Sequence, residues 1–451
     1  MKTKVLFFII CSLMVQTIYS QSYQWRLLTD SPGKTGESRF EDMHFINSNT
    51  GWVVGYSGEV FRTNNAGTNW NLIFTSTFGS EFRSVGFFDS NTGLIGTLIQ
   101  GDSNKILYRT INGGSNWTAV TNITGRRPQG ICGISIVNEN LAYACGRYFG
   151  SGRVIKTTDK GVSWNLVLSD TSLVRTLIDC YFWSPDSGIA VGGSLPNLMG
   201  SAVVLRTTNG GSSWQRVHKT TRTNEWCWKI SFGSRDVGFV SVERGGGFAY
   251  ILKTTNNGVN WIDIPFREYD EEGIGFLNEN TGWVGGWTGP TYQTTNGGTN
   301  WQLSGWGTNL NRFRFFSDTL AYAVGDRVYK YSRGPVGINL TSTKIPSSFS
   351  LHQNYPNPFN PITKIKFDVT LDVRRLPYGK AGETLASRSA QDVKLIIYDA
   401  LGKEIETLVN ENLFPGSYEV DFNSGNLSSG VYFYKLETER FSDVKRMILI
   451  K

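Results

Sequence analysis

One eight-residue stretch recurs six times along the 451-residue chain: TNNAGTNW ending at Trp70, TINGGSNW at Trp117, TTDKGVSW at Trp164, TTNGGSSW at Trp214, TTNNGVNW at Trp261 and TTNGGTNW at Trp301. Successive tryptophans lie 47, 47, 50, 47 and 40 residues apart, and a period of that size marks a repeat architecture. In each copy the Thr and the Asn (Asp159 in the third) can bond their own backbone, the fifth-position Gly permits φ > 0, and a strand-forming Trp follows at once. Each copy therefore predicts a hairpin turn between two strands.

The same elements recur upstream of each turn. Immediately before it lies an apolar strand with a cation near its end: VFRT (60–63), LYRT (107–110), VIKT (154–157), VLRT (204–207) and ILKT (251–254). Before that come TGWVVG (50–55), LAYACG (141–146), SGIAVG (187–192) and TGWVGG (281–286), and earlier still MHFIN (43–47), VGFFD (85–89), ISIVN (134–138), CYFWS (180–184) and GIGFLN (273–278). With the strand that begins at the Trp, each unit holds four short strands and no helical periodicity. Such units are the blades of a β-propeller. A seventh unit at 313–332 supplies three strands and no turn, while YQWRLLT (23–29) matches the strand that follows each turn. The expected fold is all-β: a seven-bladed β-propeller over residues 21–332, closed by the strand around Trp25 docking as the outer strand of the last blade. That closure leaves no free sheet edge where the chain ends meet. The 51 glycines and 13% aromatic content suit a chain made of strands and turns.

Residues 1–20 are expected to lie outside the fold. Lys2 and Lys4 precede an apolar run at 5–15 and then TIYS, the layout of a secretory signal cleaved near Ser20. Ile10 stands before Cys11, where a lipid-modified cysteine needs a small residue, so Cys11 is an ordinary member of the run. No other long apolar segment occurs, so an exported chain without a membrane span is expected. Cys132 and Cys145 are expected to face each other across a hairpin centred near Asn138 and Glu139, either bonded or as two buried thiols. Cys180 and Cys227 fall on inner strands as small buried hydrophobes. Beyond Tyr331 the repeat stops: 333–345 is a polar linker, and 346–451 a second all-β unit, a sandwich built from runs such as VKLIIYDALGKEI (393–405), GSYEVDF (416–422), GVYFYKLE (430–437) and VKRMILIK (444–451).

Two resemblances follow from these residues. QNYPNPFNP, IYDALGKEI, LSSGVYFYKL and a terminal strand ending at Lys451 resemble, in that order, the C-terminal sorting domain of type IX secretion, the immunoglobulin-like tail of exported proteins of Bacteroidetes and their relatives. The resemblance covers residues 346–451. It implies a sorting signal that includes Asn357, Pro358, Phe359, Gly402, Gly430, Tyr432 and Lys451, the type IX secretion machinery as partner, and secretion or cell-surface display via the periplasm. The stretch 372–391 is longer and more basic than the family's usual link. The turns are similar to the Asp-box or BNR repeat, and the whole blade resembles the photosystem II assembly factor type, the Ycf48-like group. Sialidases, xyloglucanases and sortilin-like receptors carry the same turn, so the resemblance implies fold and leaves chemistry open.

Along each inner strand, side chains alternate between core and channel. The apolar positions, Phe45, Phe87, Ile136, Phe182, Phe232, Phe276 and Phe315 among them, are expected in the core. Asp42, His44, Asp179, Lys229, Arg312 and Arg314 are expected to face the central channel. Further toward the mouth lie Arg39, Glu41, Glu81, Arg83, Arg127, Arg175, Glu225, Trp226, Trp228, Asp270, Glu271 and Glu272, beside the connections between second and third strands, which vary most from blade to blade. Variable loops on a rigid scaffold carry binding. The expected ligand site is thus Arg39, Glu41, Arg83, Arg127, Arg175, Trp226, Trp228, Glu272 and Arg312, the bland alternative being a solvated rim of paired charges.

A catalytic reading must meet stricter demands. A sialidase needs an arginine cluster, a Tyr–Glu pair and an acid carboxylate, and its Arg-Ile-Pro signature is absent near the first blade. Asp42, Asp179 and Glu272 are the carboxylates from which a glycosidase pair would be built, but a ring of seven strands supplies such pairs by chance. No nucleophile elbow or phosphate loop occurs, and His44, His218 and His352 are too few for a His-based metal site. The Asn and Asp side chains of the turns invite a calcium reading, but their expected work is bonding their own turn. Lys and Arg exceed Asp and Glu by seven; two of those lysines lie in the leader and residues 345–451 balance, which leaves about +5 on the propeller and no basic run of the nucleic-acid type. Arg62, Arg109, Lys156, Arg206, Lys253 and Lys330 occupy one position per blade and are expected to be scaffold. The sequence points to an exported, non-catalytic propeller that binds an unknown protein or glycan through its loop face, with no cofactor, metal or nucleic acid. A secreted glycoside hydrolase of sialidase or xyloglucanase type is the alternative.

Overall fold

The computed structural model describes residues 23–28, 31–33, 39–76, 81–98, 105–146, 150–196, 199–266, 271–287, 290–333, 339–342, 344–370, 391–413, 415–424 and 427–451. The expected leader, Asp270, most of the 101–105 connection, half of the 147–152 connection and nearly all of 372–391 lie outside the described residues. The chain forms two units, Gln24–Ser332 and one that contains Arg333–Lys451.

The first unit is built of seven antiparallel sheets, each four strands in meander order except the third, to which Ile123–Thr124 adds a short parallel fifth. The innermost strands are Phe40–Phe45, Phe82–Phe87, Gly133–Ile136, Thr176–Phe182, Glu225–Phe232, Glu271–Phe276 and Arg312–Ser317 for blades 1 to 7. They pack in a closed cycle, blade 7 returning to blade 1. The strand Tyr23–Leu27 pairs with Val328–Arg333 as the fourth strand of blade 7. Trp25 is buried there, stacked on Trp306 at 4.6 Å and edge-on to Trp283 at 5.4 Å. The closure expected at the chain ends is the one observed.

The turns explain their own sequence. In the first, the Thr63 hydroxyl donates to Asn65 Oδ1 (3.0 Å) and accepts from Gly67 N (2.9 Å), while Asn65 Oδ1 also accepts from Asn69 N at 2.9 Å. The same bonds recur at Thr157–Asp159, Thr207–Asn209 and Thr254–Asn256. These side chains serve their own turns. Two consecutive residues take positive φ, such as Lys160 (58°) and Gly161 (79°), so the strain falls on the fourth position as well as on the glycine. The repeated cations do act as scaffold. Each reaches into the next blade's turn: Arg109 to the Lys160 carbonyl (2.7 Å), Arg206 to Asn257 (3.1 Å), Lys253 to Gly297 (2.8 Å) and, across the closure, Lys330 to Ala66 (3.0 Å). Blade 7 has no turn to receive a cation from blade 6. At the corresponding position blade 6 carries Gln293.

The cysteines correct the expected register by one residue. Gly133, not Cys132, lies opposite Cys145, because the connecting turn is closed by Val137 N donating to the Leu141 carbonyl. All four described cysteines are free and buried. Burial, with the Cys180 thiol beside it, pushes the Cys145 thiol well up.

The second unit is a sandwich of two four-stranded sheets around one apolar core that includes Phe359, Phe367, Leu395, Tyr434 and Met447. Asn339–Ser342 pairs with Gly416–Asn423, so the stretch expected to be linker contributes a strand to this unit. The residues expected to form the sorting signal largely serve the fold of this unit. Phe359 is a core side chain, and its N–H and carbonyl bond Ile448 O (2.9 Å) and Ile450 N (3.0 Å). Asn357 Oδ1 accepts from Ile448 N at 2.9 Å, so this segment covers the edge of the terminal strand. Pro358 lies between these two bonding residues. Gly402 takes φ 81° in the Asp399–Lys403 turn, Gly430 pairs with Leu449, and the Tyr432 hydroxyl donates to Ser428 O at 2.9 Å. Lys451 is exposed, its backbone N donating to the Ser429 hydroxyl.

Candidate functional site

The channel-facing residues expected from the alternation meet at the axis. Arg312 of blade 7 forks onto Asp179 of blade 4 (2.8 and 3.1 Å) and reaches Asp42 of blade 1 (2.9 Å). Arg314 adds a second contact to Asp42 at 3.2 Å. Asp42 and Asp179 also accept from the backbone N–H groups of Val85 and Ile230, both at 3.1 Å, tying blades 1 to 2 and 4 to 5. Burial opposes ionisation of Asp42, but Arg312 and Arg314 outweigh it and hold its carboxyl below the ordinary range. Burial and then Arg312 bring the Lys229 ammonium down to about 8.

The mouth differs from expectation. Arg39, Glu41, Arg83, Trp226, Trp228, Glu272 and Arg312 are all buried, Glu41 completely. Glu41 takes Arg39 at 3.2 Å and Arg83 at 2.8 Å, and Arg39 continues to Glu272. Burial pushes the Glu41 carboxyl up, yet the two guanidinium groups bring it below its ordinary value; burial, with the Glu41 charge nearby, keeps the Glu272 carboxyl above its own despite Arg39. Asn311, fully buried, donates to Glu41 Oε2 (2.8 Å) and accepts from Trp228 Nε1 (3.0 Å). Trp226 donates to Glu243 at 3.0 Å, and the two indoles lie 6.2 Å apart over an apolar floor of Leu98, Cys132 and Ile178. These residues are a plug that crosses the axis, neither a solvated rim nor an open binding surface. Glu225 is likewise buried, paired with Arg222 at 2.9 Å.

Two expected residues stay apart from the plug. Arg175 is exposed; Arg127 is half-buried and donates to the Thr121 carbonyl of its own connection. Accessible side chains on the loop face come instead from residues that were not singled out. Leu195 and Met199 in blade 4, Phe248 in blade 5 and Trp287 in blade 6 are 46, 63, 52 and 44% exposed, on connections between second and third strands. The Arg39 guanidinium lies 4.4 Å from the Trp287 ring and so couples this arc to the plug. Exposed apolar residues in three adjacent loops are the signal that inspection of strand registers overlooks. At the turn end the channel opens into a cavity of about 230 Å³, its lining including His44, Tyr181, Arg314 and Phe316. Burial, then Arg314, lowers His44 to about 4.

Residues 353–451 match the family described as Secretion system C-terminal sorting domain. The chain is 22% identical over 305 residues to the photosystem II stability/assembly factor HCF136 of Arabidopsis thaliana, spanning 61% of this chain and 70% of that protein. It is 24% identical over 310 residues to the photosystem II assembly lipoprotein Ycf48 of Synechococcus sp. (strain CC9902), spanning 63% and 82%. Among solved structures it is similar to Ycf48 bound to D1 peptide, with a TM-score of 0.52 at 18% identity over 68% of this chain and 96% of that one. It is also similar to the GH74 xyloglucanase from Xanthomonas campestris, with a TM-score of 0.50 at 11% identity over 92% and 80%. At such identities the solved structures speak for the fold alone. The sorting domain indicates a route through the periplasm to the outside or the cell surface and implies interaction with the type IX secretion machinery. The chain is a distant Ycf48-like β-propeller that ends in a type IX secretion C-terminal sorting domain.

Proposed function

We propose that this exported propeller is a non-catalytic binding module whose loop face captures a polypeptide on the apolar arc around its plugged mouth. One observation carries this reading: each channel carboxylate from which a glycosidase pair would be built is buried and held by arginine, Asp42 and Asp179 by Arg312 and Glu272 by Arg39. A glycosidase needs one protonated and one ionised carboxyl flanking an open groove. Here the three carboxyls are buried and each is engaged by a guanidinium, which leaves none of them free to serve as acid or base. By contrast, exposed Leu, Met, Phe and Trp on adjacent loops are the side chains that anchor a partner in a protein interface. A peptide is also what the similar Ycf48 structure is described as holding.

The test is a screen of the full-length protein against peptide and glycan arrays, together with an assay for reducing ends released from xyloglucan and for sialic acid released from sialosides. Peptide capture is expected, weakened about tenfold or more by Trp287→Ala, as for an anchor residue, with only a small change in melting temperature because nearly half of the residue is exposed. Hydrolysis by the wild-type protein overturns the reading in favour of the glycosidase.

A further inference from the structure

Blade 6 departs from the others at its outer edge. The interval to its turn tryptophan is 40 residues, against 47 or 50 elsewhere. Its outer strand is only Gln302–Leu303, as short as Thr118–Ala119 of blade 2, whereas those of blades 1, 3 and 4 are five residues long. At the position where the six other blades carry a cation directed at the following turn it carries Gln293, an amide without that structural duty. Gln293 and Gln302 are cross-strand partners.

Two hollows flank this shortened strand. Between blades 5 and 6 lies a groove of about 640 Å³ lined by Pro265, Phe266, Tyr292 and Trp301, with Thr299 and Asn300 at its rim. On the other side of the edge a hollow of about 180 Å³ is lined by Gln293, Asn296, Asn300 and Gln302. Asn300 lines both and stands between them at the strand edge. Among the described residues no charged side chain lines either one. The aromatic side is built rather than incidental: Phe266, 4% exposed, meets Tyr292 edge-on at 5.4 Å and Trp301 at 5.5 Å, and the Trp301 indole N–H is fixed on the Gly298 carbonyl at 3.1 Å. A ligand therefore meets rings already held in place.

Aromatic rings beside uncharged amides match one ligand chemistry best. The C–H faces of a pyranose pack on aromatic surface while its hydroxyls exchange hydrogen bonds with amide groups, which both donate and accept. A carboxylated or sulfated sugar would find no counter-ion among the described lining residues. We propose that the outer edge of blade 6 binds a neutral glycan, one stretch of sugar packing against Tyr292 and Trp301 and the next read by Asn300, Gln293 and Gln302 as the chain crosses the edge. This site is separate from the loop face and does not depend on the peptide reading.

Full-length protein is tested by affinity electrophoresis and tryptophan fluorescence against xyloglucan, mixed-linkage β-glucan and mannan, with alginate and heparin as anionic controls. At least one neutral polysaccharide should retard the protein and the anionic ones should not. Asn300→Asp and Gln302→Glu each place a charge in the site on an exposed residue, and each should weaken binding about tenfold, the upper range for one lost hydrogen bond, with melting unchanged. Trp287→Ala on the loop face should leave glycan binding intact, which separates the failure of one site from that of the other. Absence of binding to all three neutral polysaccharides, a preference for the anionic ones, full binding by both charged variants, or capture of an extended peptide with the glycans inert overturns the assignment.

Discussion

The ring of turns and the axial channel hold the same seven blades together by opposite means. In the turns each contact joins sequence neighbours or adjacent blades, and it recurs: the hydroxyl of Thr207 on Asn209 repeats that of Thr63 on Asn65, and Arg206 on the Asn257 carbonyl repeats Arg109 on Lys160. The channel adds a contact that has no copy and crosses the axis, where Arg312 joins blades 7, 1 and 4. A repeated contact has copies that keep the ring closed when one is lost, whereas a contact across the axis has none. The turns thus specify the blade, and the channel specifies this propeller.

Arg312→Ala is the strongest test of that contrast. It leaves Asp42 and Asp179 buried without their shared cation, and breaking one buried pair already costs about 3–5 kcal/mol. Chemical denaturation at neutral pH should show a larger loss here than for any single turn residue. Trp261→Ala comes next. Its ring is 7% exposed in the cluster between blades 4 and 5, and truncating such a side chain costs about 3–5 kcal/mol. A loss exceeding that of Arg312→Ala would reverse the ranking of channel over turn.

A smaller effect should appear with pH. His44 is held to about 4 in the fold against 6.5 unperturbed. The folded value is the lower one, so the unfolded chain binds the extra proton between the two, and stability falls as pH drops through that window. His44→Gln should flatten the fall by at most one proton, about 1.4 kcal/mol per pH unit. Equal slopes for variant and wild type in urea melts across the window would remove His44 from the account. Least of all, Asn209→Ala removes bonds to Ser213 and Thr207 that five other turns duplicate in kind, and should cost about 1 kcal/mol. A cost near that of Trp261→Ala would mean that the turns cooperate rather than back one another up.

Much of this was legible in the chain. The period gave the blades, and the unmatched Trp25 strand gave the closure, because a four-stranded meander leaves one place for it. Asp42 and Asp179 were legible as channel residues because they lie past the slip in their strands, and Arg312 because pairing is regular from Arg312 to Phe315. Trp226, Trp228, Glu41 and Arg83 were misjudged as open surface for a specific reason. Pairing with the second strand slips between Phe40 and Asp42, Phe82 and Ser84, Leu177 and Asp179, Cys227 and Ile230, and Glu271 and Gly273. A bulge inserts a residue and reverses the facing of everything before it. Sequence alternation counted from the far end therefore fails at the mouth.

By itself the sequence determined the all-β class, the blade count, the turns and the sorting tail, since each rests on residues within one turn, one strand pair or one contiguous motif. Tertiary structure alone decided that the mouth is plugged, that Asn357 covers the terminal strand, that Asn339–Ser342 joins the sandwich, and that Gln293 stands where no cation is needed. Those outcomes depend on which side chains meet from segments far apart, Arg39 with Glu272 or Asn311 with Glu41. Local propensity carries no record of such a meeting; the closure of the ring creates it.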